Sequence, residues 1–179
     1  METLTTTTAW VDTVVIRKLC RADLPALEWG GEFTRFREVY LAEFERSQIG
    51  ASILWVADKP DIGIVGQLFV QFNAERQELA NGRSRAYMYA FRIRAPFRGV
   101  GLGSRMMQIM EDDLRRRRFC WVTLNVGKTN YFARRLYRRL GYQVVAHESG
   151  RWSFRDERGV LQNVEEPAWR MEKFISQVS

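Results

Sequence analysis

Hydrophobic residues along this chain recur at two spacings, and the spacing changes where glycine, proline or asparagine intervenes. Val14-Val15-Ile16-Arg17 predicts a short first strand. Arg21-Ala22-Asp23 leads into Leu24-Pro25-Ala26-Leu27, so a helix is expected there, with Asp23 as its cap and Pro25 near its start. Phe33, Phe36, Tyr40 and Phe44 then repeat at helical spacing with Arg and Glu between them, which predicts an amphipathic helix over 32–47 with its aromatic stripe in the core. Ser52 to Ala57 and Ile62 to Phe72 are rich in β-branched and aromatic residues. The turn chemistry of Asp58-Lys59-Pro60-Asp61 between them predicts a hairpin. Residues 73–83 are polar and end in Asn81-Gly82, a loop signal, before Tyr87, Tyr89, Phe91 and Ile93 alternate along a further strand.

That strand runs into a glycine-rich turn, after which Leu102, Met106, Ile109, Met110 and Leu114 share one face of a helix over about 101–117. Cys120 to Leu124 reads as a buried strand. Asn130 opens another helix whose apolar stripe is Ala133, Leu136, Tyr137 and Leu140, with Gly141 where a left-handed C-terminal cap is expected. Tyr142 to Ala146 and Trp169 to Phe174 read as closing strands, joined by a mixed connection over 150–167. The order is β-α-α-β-β-β-loop-α-β-α-β-β, with no internal repeat and no linker. It predicts a single α/β domain over 13–176, a mixed and mostly antiparallel sheet flanked by helices, after an N-terminal extension of 1–12.

Composition narrows the chemistry. With 179 residues, 46% hydrophobic and 27% charged, the chain has the make-up of one globular domain. Its longest apolar stretch, Ile62 to Val70, is broken by Gln67 and falls far short of the roughly 20 residues a bilayer-spanning helix needs. The first residues show neither a basic segment nor an apolar one, so a cytoplasmic location is expected. His147 is the only histidine, and Cys20 and Cys120 lie far apart, which leaves no clustered metal-ligand spacing and no His-based triad. The two cysteines read as buried small hydrophobes. Lys and Arg outnumber Asp and Glu by 28 to 21, with arginine concentrated in Arg115 to Arg118 and in Arg134, Arg135, Arg138 and Arg139. Such runs are either solvated helix faces or phosphate contacts. Without interleaved stacking aromatics they are weak evidence for a nucleic-acid partner.

Arg98-Gly99-Val100-Gly101-Leu102-Gly103 joins a strand to a helix, so successive backbone N–H groups and a helix N-terminus converge on one small region. That arrangement suits an anion such as a pyrophosphate. The dinucleotide fingerprint would need a further glycine where Ser104 and Met106 stand, and no Gly-Lys-Ser/Thr follows to make a P-loop.

The series Arg-x-x-Gly-x-Gly at Arg98 to Gly103, after a strand ending Ile93-Arg94-Ala95-Pro96, resembles motif A of the GCN5-related N-acetyltransferases. About 30 residues on, Asn130, Ala133, Leu136-Tyr137, Leu140, Gly141 and Tyr142 are similar to that family's Asn-x-x-Ala-x-x-Leu-Tyr-x-x-x-Gly-Phe/Tyr pattern. The resemblance covers about 52–142. It implies the acyl-CoA N-acyltransferase fold and acetyl-coenzyme A as acetyl donor, with no metal. The donor's pyrophosphate would lie on the backbone amides of Arg98, Gly99, Val100, Gly101, Leu102, Gly103 and Ser104. Its pantetheine would pair with the exposed edge at Phe91, Arg92 and Ile93, where a backbone N–H would hold the developing oxyanion. Asn130 would contact the pantetheine arm, cap its helix, or do both. Tyr137 would be the general acid to the departing thiolate.

The acceptor implied is a primary amine, of a small molecule or a protein. It must lose a proton, since at a pKa of about 10.4 very little is neutral near pH 7. Many relatives carry a Glu on the strand before the glycine turn, but here Tyr87, Met88, Tyr89, Ala90 and Phe91 occupy it, and the base is unassigned. Glu28, Trp29, Glu32 and Phe33 are placed by the resemblance near the acceptor, with Tyr89 on the central strand. Neither nucleic acid nor membrane is an expected partner, and the C-terminal strands could carry a homodimer. The competing readings are a weakly catalytic coenzyme A-binding regulator and a basic nucleic-acid-binding module.

Overall fold

The computed structural model describes residues 10–175. A seven-stranded sheet forms the centre, in the order β1-β2-β3-β4-β5-β9-β6, and β4–β5 is its one parallel pair. The strands are β1 (Val15–Lys18), β2 (Ser52–Lys59), β3 (Gly63–Gln71), β4 (Arg85–Ile93), β5 (Trp121–Gly127), β6 (Gln143–Glu148) and β9 (Ala168–Phe174). Between β6 and β9 lies a separate hairpin of β7 (Arg151–Arg155) and β8 (Leu161–Glu165). This hairpin corrects the expectation of a mixed connection over 150–167. Its strands are mostly exposed, with Phe154 the buried contact, so no clear alternation marks them.

β2 and β3 are buried on both faces, which is why they read as nearly continuous apolar runs. One face packs Ile53, Trp55, Val65 and Met88 against α2 (Leu102–Arg116) and α3 (Tyr131–Arg139). The other packs Leu54, Val56 and Phe69 against Phe36, Tyr40 and Phe44, the aromatic stripe of α1 (Arg37–Gln48) and the turn before it.

The region before α1 departs from the expected pair of helices. Arg21–Gly31 is a 3-10 segment broken at Trp29 and Gly30, both in left-handed backbone, and Thr34–Phe36 is a further 3-10 turn. Asp23 sits inside the first turn rather than at the cap. Its carboxylate accepts from the Cys20 backbone N–H at 2.8 Å and from both terminal nitrogens of Arg17 at 2.7 and 2.9 Å. Cys20 is exposed and Cys120 half-buried, so neither is the buried hydrophobe expected. Of the expected extension, residues 1–9 lie outside the described residues. Trp10 meets Phe97 edge-on at 5.4 Å, and the Val11 carbonyl accepts from Arg105 at 2.9 Å, so this part packs on the domain.

Two features of β4 set up everything that follows. In the β3–β4 register Gln67 faces Arg92 and Phe69 faces Tyr89, so Leu68 opposes two residues, Ala90 and Phe91. The extra residue is a bulge: Ala90 has φ 49°, and its carbonyl accepts from the buried Gln67 side chain at 3.1 Å. The β4–β5 ladder runs from Arg85 opposite Trp121 only to Met88 opposite Leu124. Beyond that point β4 stays with β3 and β5 stays with β9, and the two strands part.

Candidate active site

The parting strands leave a wedge-shaped cleft of about 280 Å³ in the middle of the sheet. Of the residues marked by the sequence, Phe91, Asn130, Tyr137 and Tyr89 line it. The bulge decides which face each β4 side chain serves. Before it, Tyr87 and Tyr89 point to the α1 face and Met88 to the α2/α3 face. After it, Phe91 and Ile93 point to the α2/α3 face and Arg92 to the α1 face.

On the α2/α3 face, the turn between β4 and α2 holds the glycine series. Gly101 is the residue before the first turn of α2 and has φ 91°, a conformation that side chains other than glycine's resist. Gly103 has a different reason to be glycine. A Cβ there would lie 3.3 Å from Ile93 Cδ1 and 3.4 Å from Phe91 Cζ, so its bareness lets the start of α2 close onto β4. Arg98, expected to supply charge, donates from Nε to the Ile93 carbonyl at 2.6 Å and so ties the turn back to the strand. Val100 and Ser104 are half-buried and Leu102 is buried in the core. The first backbone N–H groups of α2, before Arg105 donates to the Gly101 carbonyl at 3.1 Å, have no partner within the helix, as at every helix start.

Asn130 caps α3, its side chain accepting from the Ala133 N–H at 3.2 Å. Two turns on, Tyr137 is 5% exposed, with its ring 6.5 Å from that of Phe91 and 6.1 Å from that of Tyr142. Burial pushes its hydroxyl well above the usual tyrosine range, and the nearby Tyr87 adds to the effect. Tyr142 is fixed behind it, donating to the buried Glu111 at 2.9 Å, and Glu111 is in turn paired with Lys173 at 2.8 Å.

On the α1 face, Tyr89 donates a short hydrogen bond to the Glu43 carboxylate. Burial first, and that carboxylate second, keep its hydroxyl protonated, which makes Tyr89 a wall and not a base. Arg92 stacks on Phe33 at 4.3 Å and donates to the Tyr40 hydroxyl at 2.7 Å. Trp29 and Phe33 meet edge-on at 5.2 Å beside it. The structure does not bring Glu28, Trp29, Glu32 or Phe33 into the cleft lining. Glu28 is engaged by Arg37 at 2.8 and 2.9 Å, which holds its carboxyl below the usual range, and Glu32 is exposed. The sequence reading also passed over three residues that do line the cleft, Asn125, Trp152 and Glu166. Asn125 lies one residue past the strand expected over 120–124, which extends to Gly127, and the other two lie in the stretch read as a connection.

Among the described residues no cluster of side chains could hold a metal ion, and no helix is long and apolar enough to cross a membrane. The site is thus a sheet split after a shared parallel ladder, with a glycine-rich helix start on one side and a buried tyrosine between. The model of the acetyltransferase (GNAT) family matches residues 17–142, and the chain belongs to that family of acetyl-coenzyme A-dependent N-acetyltransferases. No curated protein matches the sequence. Among solved structures, Ard1 from Thermoplasma volcanium is 18% identical with a TM-score of 0.70, over 92% of this chain and 99% of that one. The ribosomal-protein-S18-alanine N-acetyltransferase of Escherichia coli is 17% identical with a TM-score of 0.67, over 93% and 96%. NAA60 of Arabidopsis thaliana in complex with acetyl-CoA is 18% identical with a TM-score of 0.69, over 91% and 99%. At these identities the likeness is one of fold.

Proposed function

We propose that the protein moves the acetyl group of acetyl-coenzyme A to a primary amine, with the two substrates meeting in the wedge between β4 and β5 and Tyr137 as the general acid. The observation that carries the reading is the end of the β4–β5 ladder at Met88. It leaves the β4 edge from Phe91 to Ile93 unpaired toward β5, directly ahead of the turn into α2. The residues fit the donor. That edge can pair with an extended amide chain, and one of its N–H groups can hold the oxyanion. The amides from Gly99 to Ser104 can meet a diphosphate at the helix start, where the glycines let the main chain approach, while the Arg98 amide is engaged by the Ala95 carbonyl at 3.3 Å. Asn130, at the mouth of the cleft, can cap α3 and meet the same amide chain.

Tyr137 lines the cleft with a hydroxyl that makes no hydrogen bond to another described side chain. It is placed to give its proton to sulfur as the C–N bond forms and the C–S bond breaks, and to regain one from the nitrogen through water. The acetyl-CoA complex of the NAA60 fold neighbour supports the choice of donor. The acetylation of a ribosomal-protein alanine by the Escherichia coli neighbour supports an amine acceptor.

The test is calorimetric titration with acetyl-coenzyme A, paired with a thermal melt. One-to-one binding is expected, with about 2.7 kcal/mol of added stability at 100 times the dissociation constant. Absence of binding would reduce the glycine turn to a structural device and overturn the reading. A second arm uses 3′-dephospho-coenzyme A. Arg134, Arg135 and Arg138 lie on α3 without an acidic partner among the described residues, Arg135 and Arg138 exposed and Arg134 over the Tyr131 ring at 5.4 Å. They are candidates for the 3′-phosphate, and the dephospho form should bind more weakly. Equal affinities would remove that contact.

A further inference from the structure

Three cleft residues have no part in the steps above: Asn125, Glu166 and Trp152. The charge pattern of the cleft draws attention to them. The chain carries 28 Lys and Arg against 21 Asp and Glu, yet none of the basic residues lines the cleft, and Glu166 is its one charged wall. Elsewhere Asp23, Glu28, Glu111 and Glu148 are matched to Arg17, Arg37, Lys173 and Arg76, and the buried Asp156 is held by the Arg158 and Val160 N–H groups and Gln162, whereas Glu166 is an exposed residue. The Glu166 carboxylate has neither an ion pair nor a hydrogen bond among the described residues. Lys128, close by in sequence to Gly127, lies instead over the ring of Trp169 at 4.2 Å.

Glu166 is held in place by its backbone. It sits in the turn between β8 and β9, where its N–H donates to the Gly150 carbonyl at 3.0 Å. The next carbonyl, of Pro167, accepts from Lys128 at 2.9 Å. Its side chain lies over Gly127 at the end of β5, and a Cβ on that glycine would come within 2.7 Å of Glu166 Oε1. Two strand positions earlier, Asn125 stands on the same face as Thr123, which is in register with Tyr87. The Asn125 amide faces the Tyr87 hydroxyl, while its Oδ1 is buried with no hydrogen-bond partner. An orphaned acceptor in a cleft wall is costly in a folded protein and is kept where something from outside donates to it. The walls around it are aromatic: Tyr87 and Tyr89, stacked at 5.7 Å, and Trp152, which reaches over from β7.

We propose that Asn125 and Glu166 are the ammonium-binding residues of the acceptor site. An alkyl primary ammonium enters along the faces of Tyr87, Tyr89 and Trp152, donating one N–H to Asn125 Oδ1 and another to the Glu166 carboxylate. The lining supplies what that group requires, namely two acceptors, aromatic faces that attract a cation, and no competing cation. It discriminates against acceptors that carry a carboxylate beside the amine, because that charge would meet Glu166. The proposal rests on the reading of the cleft as the meeting place of the two substrates, and it adds the class of acceptor.

The test is a calorimetric titration of the full chain with n-hexylamine and with 1-hexanol, without acetyl-coenzyme A, on the wild type, Glu166→Gln and Asn125→Leu. The wild type should hold the amine at least about tenfold more tightly than the alcohol, and each variant should lose about tenfold of the amine affinity. Asn125→Leu should melt at a higher temperature than the wild type while binding less, since it removes the orphaned acceptor. Equal binding of amine and alcohol, or wild-type amine affinity in both variants, overturns the site. The acetyl-coenzyme A titration reads the donor half separately. A chain that binds the donor but is indifferent to both substitutions keeps the catalytic reading and loses this one. A chain that binds the amine in this manner but no donor does the reverse.

Discussion

A phenol held away from water stays protonated far above neutrality, and Tyr137 lies in such a place, behind Phe91 and ahead of Tyr142. The sign of the shift matters for an acid, because the protonated form is the working one and a raised pKa keeps it populated. Tyr137 therefore contributes no loss of turnover as pH rises toward 9. Replacing it with Phe preserves the ring packing and removes the proton, so kcat should fall by about 100-fold or more while acetyl-coenzyme A affinity holds. Steady-state kinetics of Tyr137→Phe from pH 6 to 9, beside a donor titration, check both parts. Unchanged kcat would return Tyr137 to the core. Such a residue is legible in sequence because Asn130, Ala133, Leu136 and Gly141 stand around it at fixed spacing. Glu166 is not, since a glutamate before a proline in a polar stretch looks like any surface acid until the Gly127 and Gly150 backbones are seen to hold it.

At the level of elements, the glycine turn works through conformation as much as through its missing side chains. Gly101, at φ 91°, is the hinge from which α2 departs, and alanine there costs about 1–2 kcal/mol in backbone strain. If the strain is relieved by turning the N-terminal amides of α2, Gly101→Ala should weaken acetyl-coenzyme A binding by about tenfold, with amine binding unaltered. Calorimetry of the two ligands on this variant separates the halves of the cleft. Loss of both together would show that the turn supports the whole site. The hairpin of β2 and β3 could be read ahead of the structure from its nearly continuous apolar runs, α2 from the helical period of its apolar face, and the start of α3 from the capping side chain of Asn130. Two elements escaped for opposite reasons. The segment over 21–31 carries helical residues but breaks at Trp29 and Gly30 to turn beneath α1. The β7–β8 hairpin is mostly exposed, with Phe154 buried and Trp152 packed on Phe36 and Phe154 while it lines the cleft.

For the molecule as a whole, the excess of arginine has two uses that composition alone could not tell apart. Arg115, Arg116 and Arg117 are matched by Glu111, Asp112 and Asp113 along α2 and at its end, so three of the four arginines in that run pair with their own helix. Arg17 does structural work, joining β1 to the segment before α1 through Asp23 and to β2 through Asp58 at 3.0 Å. The Asp23 carboxyl is brought down to about 2 from 3.8, first by the Arg17 hydrogen bonds, against the cost of burial. A lowered folded-state pKa means the stabilisation is complete above about pH 4 and is lost as pH falls through 2. Asp23→Asn should cost about 2 kcal/mol near neutrality, and the gap from the wild type should close between pH 4 and 2. Urea melts across that range test it. A gap that stays constant with pH would assign the loss to packing alone.

The bulge at Ala90 has a consequence for how this enzyme can be altered. Because one extra residue shifts the alternation midway along β4, residues 87, 89 and 92 face α1 while 91 and 93 face α2 and α3, which in the proposed function separates acceptor from donor on a strand only nine residues long. Point substitutions can therefore retune either partner alone, and a library varied at 87, 89 and 92 would search acceptors against a constant donor grip. Removing one residue at 90 would do something no substitution can. It would close the bulge and pair Leu68 with Phe91 alone, removing the kink and the Ala90 carbonyl that accepts from Gln67 while leaving Phe91, Arg92 and Ile93 on the faces they now serve.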